Sequence, residues 1–380
     1  MPLVSDYLYR KASINKIPLG GAFELSPVCN FACKMCYVRR TPEQIAHSGK
    51  RLKDWTEWLA LAEQCRAAGT LYLLLTGGEP FLYPHFRELY LALHRMGFIL
   101  SINSNGTMID RDTVEWLKTA APSRINVTLY GASPETYARI CGNADGYARA
   151  TAAIRMLKEA GIPVVINASM IPENACDLED IIAFGKGLEL NTRMATYMFP
   201  PIRREAEQSD SRFTPETSAE MFLRKQRCLM DDAQYADMLR DSVQKVQQIQ
   251  AQQQEDDWGS ESEYMRCRAG RSSFWISWEG KMTACGMLPF PLETDPFAAP
   301  FHDCWMRLTD AVRTTPVLHE CVNCEKKELC RPCVAMLYAE IGDVNHKAPY
   351  LCRLADCILE KMTSQWQTME VENHVQNQES

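Results

Sequence analysis

The sequence lacks three features that would place it at once in a large class of proteins. No apolar run approaches the roughly 20 residues that a membrane-spanning helix needs, and the N-terminal segment MPLVSDYLYRK has no apolar signal-peptide core. Positive charge is not in excess either, because the formal net charge is -7 and the charged residues are spread along the chain. We therefore expect a cytoplasmic protein that binds neither a membrane nor nucleic acid.

Cysteine, in contrast, is abundant. The 380 residues include 16 cysteines, and the hydrophobic fraction of 46% is enough for one large domain and a smaller one. So many cysteines without an export signal indicate metal binding in a reducing compartment rather than a disulfide scaffold. Three of them lie near the front, and seven more stand at short, metal-like spacings within 267–352.

Short apolar strands alternate with amphipathic helices from about residue 22 to residue 197. The predicted strands are 22–26, 70–76, 98–103, 124–130, 163–169 and 192–198, and the clearest helices are 53–68, 85–96, 110–120 and 146–161. This alternation predicts a parallel sheet built from βα crossovers. Six units are too few for a complete barrel, so we expect an α/β fold with a partial (β/α)6, TIM-like barrel. Functional residues of such barrels lie at the carboxyl ends of the strands.

Composition divides the chain into five predicted parts. They are an N-terminal segment 1–21, the partial barrel 22–200, a helical connector 201–257, a small cysteine-rich domain 258–357 and a polar C-terminal tail 358–380. No turn signal interrupts 216–250, and the connector is too polar to form a core by itself. The small domain has too little regular structure for a conventional core, so we expect metal to stabilise it.

The first motif directly follows the first predicted strand. Cys29, Cys33 and Cys36 stand in C-x3-C-x2-C spacing inside CNFACKMCY. Three thiolates can hold a four-iron cluster and leave one iron open to bind and reduce a cofactor. A zinc knuckle, or thiols that lie close together by chance, are the alternatives. The stretch resembles the signature of radical S-adenosylmethionine (SAM) enzymes, with Tyr37 as the aromatic residue after the last cysteine.

The second strand is followed by TGGEP. Gly77 and Gly78 let the backbone approach a ligand closely, and Glu79 adds an acceptor. An ordinary Gly-Gly turn is the alternative. The resemblance implies that this element binds the amino group of the methionine moiety of SAM.

Two later strand ends offer further polar residues. Asn103, Ser104 and Asn105 follow the third strand, where the resemblance implies contact with the ribose, although N-G turns are common. Arg139, after the fourth strand, is the implied partner of the cofactor's carboxylate. A helix-surface arginine is the alternative. Asn167, on the fifth strand, could face either the barrel mouth or a neighbouring turn.

The C-terminal cysteines form a longer pattern. Cys267 precedes a Gly280-x4-Cys285 element, and a C-x2-C-x5-C-x2-C run is followed eighteen residues on by a last cysteine. This pattern resembles the SPASM extension of radical SAM enzymes, which carries two auxiliary four-iron clusters. The resemblance implies an outer cluster on Cys321, Cys324, Cys330 and Cys352, and an inner cluster on Cys267, Cys285 and Cys333. Two zinc ribbons are the alternative.

The pattern departs from that extension in two ways. The last close cysteine pair has two intervening residues instead of three, and no fourth inner cysteine follows Cys267. The inner cluster could therefore have an open iron, or Cys304 or Cys357 could complete it, although a plain buried or loop thiol is the preferred interpretation of both. Including the SAM-binding cluster, the resemblance implies three [4Fe-4S] clusters.

The implied activity is an oxidative radical reaction on a peptide. Relatives with this extension form a 5′-deoxyadenosyl radical, and the auxiliary clusters suit a substrate radical that must lose an electron. The product would be a crosslink, a thioether or a dehydrogenated residue. Only 28 residues precede Cys29, which leaves no room for the recognition domain of many peptide maturases. A separate protein could deliver the peptide, and a flavodoxin or ferredoxin could supply electrons.

Two other functions stay open. One is a small-molecule radical SAM oxidoreductase, acting for example on a tetrapyrrole or an amino acid. The other is formylglycine formation in sulfatases, which is disfavoured because Gly286 stands where those maturases have an aspartate. An iron–sulfur electron carrier would not need the TGGEP turn. The sequence does not identify a catalytic base.

Overall fold

The computed structural model describes residues 4–200, 211–251, 264–265, 267–330 and 333–378. The strands are β1 Gly20–Glu24, β2 Tyr72–Thr76, β3 Ile99–Ser104, β4 Arg124–Thr128, β5 Val164–Ser169, β6 Asn191–Ala195, β7 Ser273–Ile276 and β8 Met282–Thr283. The helices of the first half are α1 Val4–Ile14, α2 Pro42–His47, α3 Trp55–Ala67, α4 Phe86–Arg95, α5 Arg111–Thr119, α6 Pro134–Cys141, α7 Asp145–Glu159 and α8 Leu178–Gly187. Those of the second half are α9 Pro215–Leu229, α10 Asp232–Ala251, α11 Phe301–Arg313, α12 His319–Val322, α13 Lys327–Cys330, α14 Val334–Ile341 and α15 Pro349–Gln378.

All eight strands belong to one sheet with the order β6-β5-β4-β3-β2-β1-β7-β8. Strands β1 to β6 pair in parallel with their neighbours. The predicted α/β fold with a partial barrel is therefore confirmed. Strand β7 pairs in parallel with β1, and β8 pairs antiparallel with β7. The cysteine-rich domain thus extends the barrel sheet beyond its first strand. Within the described residues, no helix is long and apolar enough to cross a membrane.

Side chains alternate between the two faces of each strand, and this alternation decides which of them can reach a ligand. On β3, Leu100 and Ile102 are almost fully buried in the main core, while Ser101 lines a cavity inside the barrel. Because successive side chains of a strand point to opposite faces, Asn103 shares the interior face with Ser101. The cross-strand register extends this face to Asn126 on β4, which is the partner of Asn103.

The connector differs from its predicted form. The run 216–250 is two helices, α9 and α10, because α9 ends at Leu229 and α10 begins at Asp232. Both helices pack against α15 and enclose a second hydrophobic core. Its buried members are Ala219, Leu223, Tyr235, Leu239, Val243, Cys357, Ile358 and Met362. The connector lacks a core of its own, and the distant helix α15 completes one. Residues 201–210 and 252–257 of the predicted connector lie outside the described part of the chain.

The small domain and the tail also differ from expectation. Residues 358–378, predicted as a polar tail, continue α15, since Ile358 and Met362 need a buried environment. In the domain before it, Phe301 and Trp305 of α11 are fully buried in the main core. Apolar packing therefore contributes to this domain alongside any metal. Residues 258–263, 266, 331 and 332 of the predicted domain are not described.

Candidate functional site

The three-cysteine loop begins just beyond the carboxyl end of β1. Its cysteines form no disulfide. Two of the sulfurs already accept hydrogen bonds from main-chain amides: Phe31 N donates to Cys29 Sγ at 3.4 Å, and Arg39 N donates to Cys36 Sγ at 3.3 Å. Amides directed at sulfur stabilise thiolates. This local geometry fits metal-ligating cysteines.

The raised pKa of these thiols also fits metal binding. Burial, together with the nearby Glu79, Cys33 and Cys36, raises the pKa of Cys29 to about 12. Deprotonating thiols that lie so close together requires a cation to compensate the charge. Within the described residues, no group of three His, Cys, Asp or Glu side chains is suited to a single metal ion. A cluster differs from a single ion because each thiolate binds a different iron, so its ligands lie farther apart.

The TGGEP turn packs against the chain that leads into the cysteine loop. Gly78 N donates to Ser26 O at 2.7 Å, and Glu79 N donates to Val28 O at 2.9 Å. A Cβ on Gly77 would lie 2.4 Å from Ser26 O, and one on Gly78 would lie 2.3 Å from Val28 O. The close approach that the two glycines permit is therefore to this backbone. They fix the turn to the loop that carries the cysteines.

Glu79 is fully buried at the centre of a polar network. Its carboxylate accepts hydrogen bonds from Ser104 Oγ at 2.9 Å, from Asn105 N at 2.8 Å and from Phe81 N at 3.3 Å. Burial raises the pKa of Glu79 to about 7, because these bonds offset only part of the desolvation. Asn105 Nδ2 also donates to Cys29 Sγ at 3.6 Å. The structure thus brings Glu79, Ser104 and Asn105 to the first cysteine.

A second polar group lies on the interior face of the barrel. Asn126 Nδ2 donates to Asn103 Oδ1 at 2.7 Å, whereas the buried Oδ1 of Asn126 has no hydrogen-bond partner in the described chain. An unpaired buried acceptor is costly, and a hydroxyl of a bound ribose would satisfy it. Sequence reasoning missed Asn126, which sits in mid-strand. Asn167 shares this face, since it is the register partner of Thr128.

Arg139 does not join the Glu79 network. Its Nε and Nη2 donate to the carbonyl oxygen of Glu173 at 3.1 and 2.7 Å, and Nη2 also donates to Thr136 Oγ1 at 3.1 Å. Lys34, within the cysteine loop, forms an ion pair with the carboxylate of Glu173 at 3.1 Å. Arg139 therefore ties α6 to the 3₁₀ helix Pro172–Asp177, and it would have to release Glu173 to reach a cofactor.

Two cavities share several lining residues, including Tyr37, which directly follows the cysteine motif. One has a volume of about 290 Å³, and the other, inside the barrel, has a volume of about 630 Å³. Both are lined by Tyr37, Trp275, Cys285 and Gly286. The residue after the cysteine motif and one of the C-terminal cysteines therefore face the same space. Charged side chains of both signs line the smaller cavity, namely Arg40, Lys281, Glu279 and Glu293.

Position 286 has no room for a side chain. A Cβ on Gly286 would lie 2.8 to 3.1 Å from ring atoms of Trp275. The indole Nε1 of Trp275 donates to Glu24 Oε2 at 3.2 Å, which holds the ring in place. Glu24 is the last residue of β1 and is 1% exposed. An aspartate, which sulfatase maturases carry at this point, would displace the indole.

The C-terminal cysteines are predicted to form two sets, and Cys333 lies within electrostatic reach of members of both. Each cysteine of the inner set accepts a main-chain N–H two or three residues on, at 3.4 to 3.5 Å, as do Cys29 and Cys36. Cys267 and Cys285 line one cavity, and Cys267 contributes electrostatically to the raised pKa of Cys333. In the outer set, burial raises the pKa of Cys330 to about 12, with contributions from Cys352, Cys321 and Cys324.

The two proposed substitutes for a fourth inner ligand are packed elsewhere. Cys304 is 2% exposed on α11 within the main core. Cys357 is 2% exposed in the core that α15 shares with α9 and α10, and its Sγ donates to Glu216 Oε1 at 3.7 Å. Both environments are typical of packing thiols.

A partial barrel with a three-cysteine loop and a buried carboxylate at its carboxyl edge defines an α/β protein whose loop cysteines can hold a metal cluster. Residues 23–185 match the sequence profile of the Radical SAM superfamily. These residues therefore form a radical SAM domain, a family that uses SAM and a [4Fe-4S] cluster, and the C-terminal cysteines fit the SPASM extension.

Relatives of two kinds match the chain. It is 25% identical over 337 residues to AdoMet-dependent heme synthase from Methanosarcina barkeri, over 87% of this chain and 95% of that protein. It is 31% identical over 176 residues to PqqA peptide cyclase from Ruegeria pomeroyi, over 46% of each. The chain thus spans about half the length of that cyclase. The solved structure of native anSMEcpe with bound AdoMet and Cp18Cys peptide has a TM-score of 0.64 at 16% identity, over 94% of this chain and 99% of that one. That likeness shows a shared fold.

Proposed function

We propose that this radical SAM enzyme oxidatively modifies a peptide. The observation that carries the proposal is the pair of cavities lined by both Tyr37, which directly follows the cysteine motif, and Cys285. A substrate held there would lie between the site of radical formation and an acceptor for the electron that its oxidation releases. The 5′-deoxyadenosyl radical formed from SAM supplies the hydrogen abstraction.

The proposed cofactor contacts follow from the network around Glu79. Cys29, Cys33 and Cys36 hold the SAM-binding cluster. Glu79 accepts the ammonium group of SAM, since its buried carboxylate lacks a cationic partner among its described hydrogen bonds. The other proposed contacts are Tyr37, Gly77, Gly78, Asn103, Ser104, Asn105 and Asn126. Arg139 remains a candidate for the carboxylate only if it exchanges its bond to Glu173.

We propose two auxiliary [4Fe-4S] clusters on the two C-terminal sets. The N–H donors onto the inner cysteines would stabilise thiolate ligands as they do in the front loop. Three protein ligands would leave one inner iron open, because Cys304 and Cys357 are buried among apolar side chains as packing thiols. A flavodoxin or ferredoxin is the proposed electron donor, and a separate recognition protein the proposed carrier of the peptide.

The lining of the smaller cavity, which has a volume of about 290 Å³, favours a peptide over a macrocycle. Arg40, Lys281, Glu279 and Glu293 make its lining polar, which suits amide groups better than the flat apolar face of a tetrapyrrole. Formylglycine formation is disfavoured because Gly286 packs directly on Trp275.

A tetrapyrrole substrate is the second candidate, and a specific observation favours it. The match to AdoMet-dependent heme synthase covers almost the full length of both proteins, whereas the match to the peptide cyclase covers 46% of each. On this alternative the larger cavity would have to admit part of the macrocycle beside Tyr37 and Cys285.

One comparison separates the candidates. The reconstituted enzyme is incubated anaerobically with SAM, a reductant and either peptides encoded by neighbouring genes or tetrapyrrole heme precursors. We expect a peptide product lighter by two hydrogens, with one 5′-deoxyadenosine formed per event, and no product from the variant Cys29→Ala. Turnover of a tetrapyrrole with every peptide unchanged would contradict the peptide proposal. A peptide of unchanged mass that carries solvent deuterium would show an epimerase and contradict the oxidative step.

A further inference from the structure

The larger cavity, with a volume of about 630 Å³, reaches the amino ends of the barrel strands. Besides Tyr37 and Cys285, its lining includes Gly20, the first residue of β1, and Arg124, the first residue of β4. Bulky branched side chains fill the interior of a complete TIM barrel. Here β1 lines the cavity with small residues, among them Gly20 and Ala22, and space is left inside the barrel.

Helix α1 lies across the amino end of this cavity. A Cβ on Gly20 would lie 2.6 Å from Tyr9 Oη, and the Tyr9 ring stacks on that of Tyr72 with the ring centres 5.6 Å apart. The Arg268 guanidinium lies 4.1 Å from the centre of the Tyr9 ring and pairs with Asp6 at 2.6 Å. The charge of Arg268 is therefore compensated by a carboxylate of α1.

Arg124 has no such partner. It is the register partner of Ser101, two residues before the Asn103–Asn126 pair, so it shares the interior face of the sheet with that pair. Among the described residues, its guanidinium has no hydrogen bond and no ion pair. Burial and the neighbouring Arg193 lower the pKa of Arg124, and no carboxylate raises it. A ligand with negative charge would compensate this cation.

The other polar groups at this end of the cavity can donate hydrogen bonds as well. The hydroxyls of Tyr9, Tyr72 and Ser101 line it, and none of them has a hydrogen-bond partner in the described part of the chain. A carboxylate only accepts hydrogen bonds, and a guanidinium is its best-matched partner. Two residues of a strand span roughly 7 Å, so a group bound to Arg124 would lie about that far from the Asn103–Asn126 pair.

We propose that the amino end of the barrel cavity is a binding site for a carboxylate of the substrate, which pairs with the Arg124 guanidinium and accepts hydrogen bonds from the hydroxyls beside it. The opposite end of the same cavity is lined by Tyr37 and Cys285, so a substrate anchored in this way would extend toward the cysteine loop. The proposal rests on the proposed function, because that function makes this cavity part of the substrate site. The carboxylate belongs to an acidic residue of a peptide or to a tetrapyrrole.

The test is anaerobic equilibrium dialysis of defined probes against the reconstituted holoenzyme. The probes are acetyl-Ala-Glu-Ala-amide, its neutral counterpart acetyl-Ala-Gln-Ala-amide, and coproporphyrin III, a tetrapyrrole with several carboxylates. We expect the wild type to bind an acidic probe, and Arg124→Gln to bind it roughly tenfold more weakly, because a charge-assisted pair is lost. Arg124→Lys, which keeps the charge, should retain part of the affinity. A loss for the glutamate peptide assigns the site to an acidic peptide residue, and a loss for coproporphyrin III alone assigns it to a tetrapyrrole.

The matched control is Arg149→Gln, which removes an exposed arginine of α7 and should bind every probe as the wild type does. Equal affinities of the wild type and Arg124→Gln for both acidic probes would overturn the proposal, as would a wild type that binds neither. An equal loss for the neutral peptide, or a loss of iron, would indicate a structural role and also overturn it. Binding requires no radical chemistry, so carboxylate binding without oxidation of any substrate would contradict the proposed function and leave this site intact.

Discussion

Replacing Glu79 with glutamine tests whether this carboxylate binds the ammonium group of SAM. Glutamine keeps the size of the side chain and one acceptor oxygen for Ser104 or Asn105, but it carries no charge. A lost charge-assisted hydrogen bond costs about 1.5 to 3 kcal/mol, which corresponds to a roughly ten- to hundredfold weaker affinity. We expect Glu79→Gln to weaken SAM binding by this factor at about pH 8, with iron content unchanged.

The pH dependence gives a sharper signature. Burial raises the pKa of Glu79 to about 7, so the free site is mostly ionised at pH 8 and mostly protonated at pH 6. A protonated carboxyl cannot pair with an ammonium group, and a proton must leave before SAM binds. The wild-type affinity should therefore fall about tenfold between pH 8 and pH 6 through this group alone. Glutamine does not titrate, so the ratio of the wild-type SAM affinity to that of Glu79→Gln should be about tenfold smaller at pH 6 than at pH 8.

The assay is anaerobic calorimetry of SAM binding to both reconstituted proteins at several pH values. Titration of SAM itself is common to both, and the ratio of the two affinities isolates Glu79. Glu57→Gln is the matched control, because Arg51 holds the pKa of Glu57 at about 2, far below this range. An affinity ratio for Glu79→Gln that does not change with pH would refute the reasoning.

Two further predictions concern stability. Glu340 pairs with Arg212 at 2.7 Å, and their side chains are 4% and 14% exposed, so Glu340→Ala should lower the free energy of unfolding by about 3 to 5 kcal/mol. Thermal unfolding checks this prediction, with Glu216→Ala, which breaks an exposed ion pair, as the control that should change little. An equal effect of the two substitutions would contradict the prediction. Gly286→Ala should lower the melting temperature and alter tryptophan fluorescence, because the added Cβ would contact Trp275. Gly187→Ala is the control, since a Cβ there meets open space and should not lower the melting temperature. Equal melting temperatures of the two variants would contradict this packing argument.

Strand ends were the part of the site that sequence could predict. Glu79, Ser104 and Asn105 each follow an apolar strand, and parallel strands bring their carboxyl ends to one edge. The structure joins these three residues by hydrogen bonds. The role of Gly77 and Gly78 was harder to predict, because a glycine permits close approach without indicating to what. Here the neighbour is the backbone of Ser26 and Val28.

Contacts between segments that are far apart in the sequence could not be predicted from it. One such contact sets the last turn of α6 against the cysteine loop, and it exists only in the folded chain. Asn126 resembles any mid-strand residue until the register pairs it with Asn103. The packing of the predicted polar tail could not be foreseen for the same reason, because its few apolar residues find their core on α9 and α10.

Cys29, Cys33 and Cys36 are the proposed ligands of the cluster that cleaves SAM. The decisive measurement is 5′-deoxyadenosine formation by the reduced, reconstituted enzyme, together with its iron content. We predict that replacing all three residues with alanine removes about four irons and abolishes 5′-deoxyadenosine formation. Replacing Cys65, Cys176 and Cys228 with alanine should change neither quantity. Retained 5′-deoxyadenosine formation in the first variant would contradict the account.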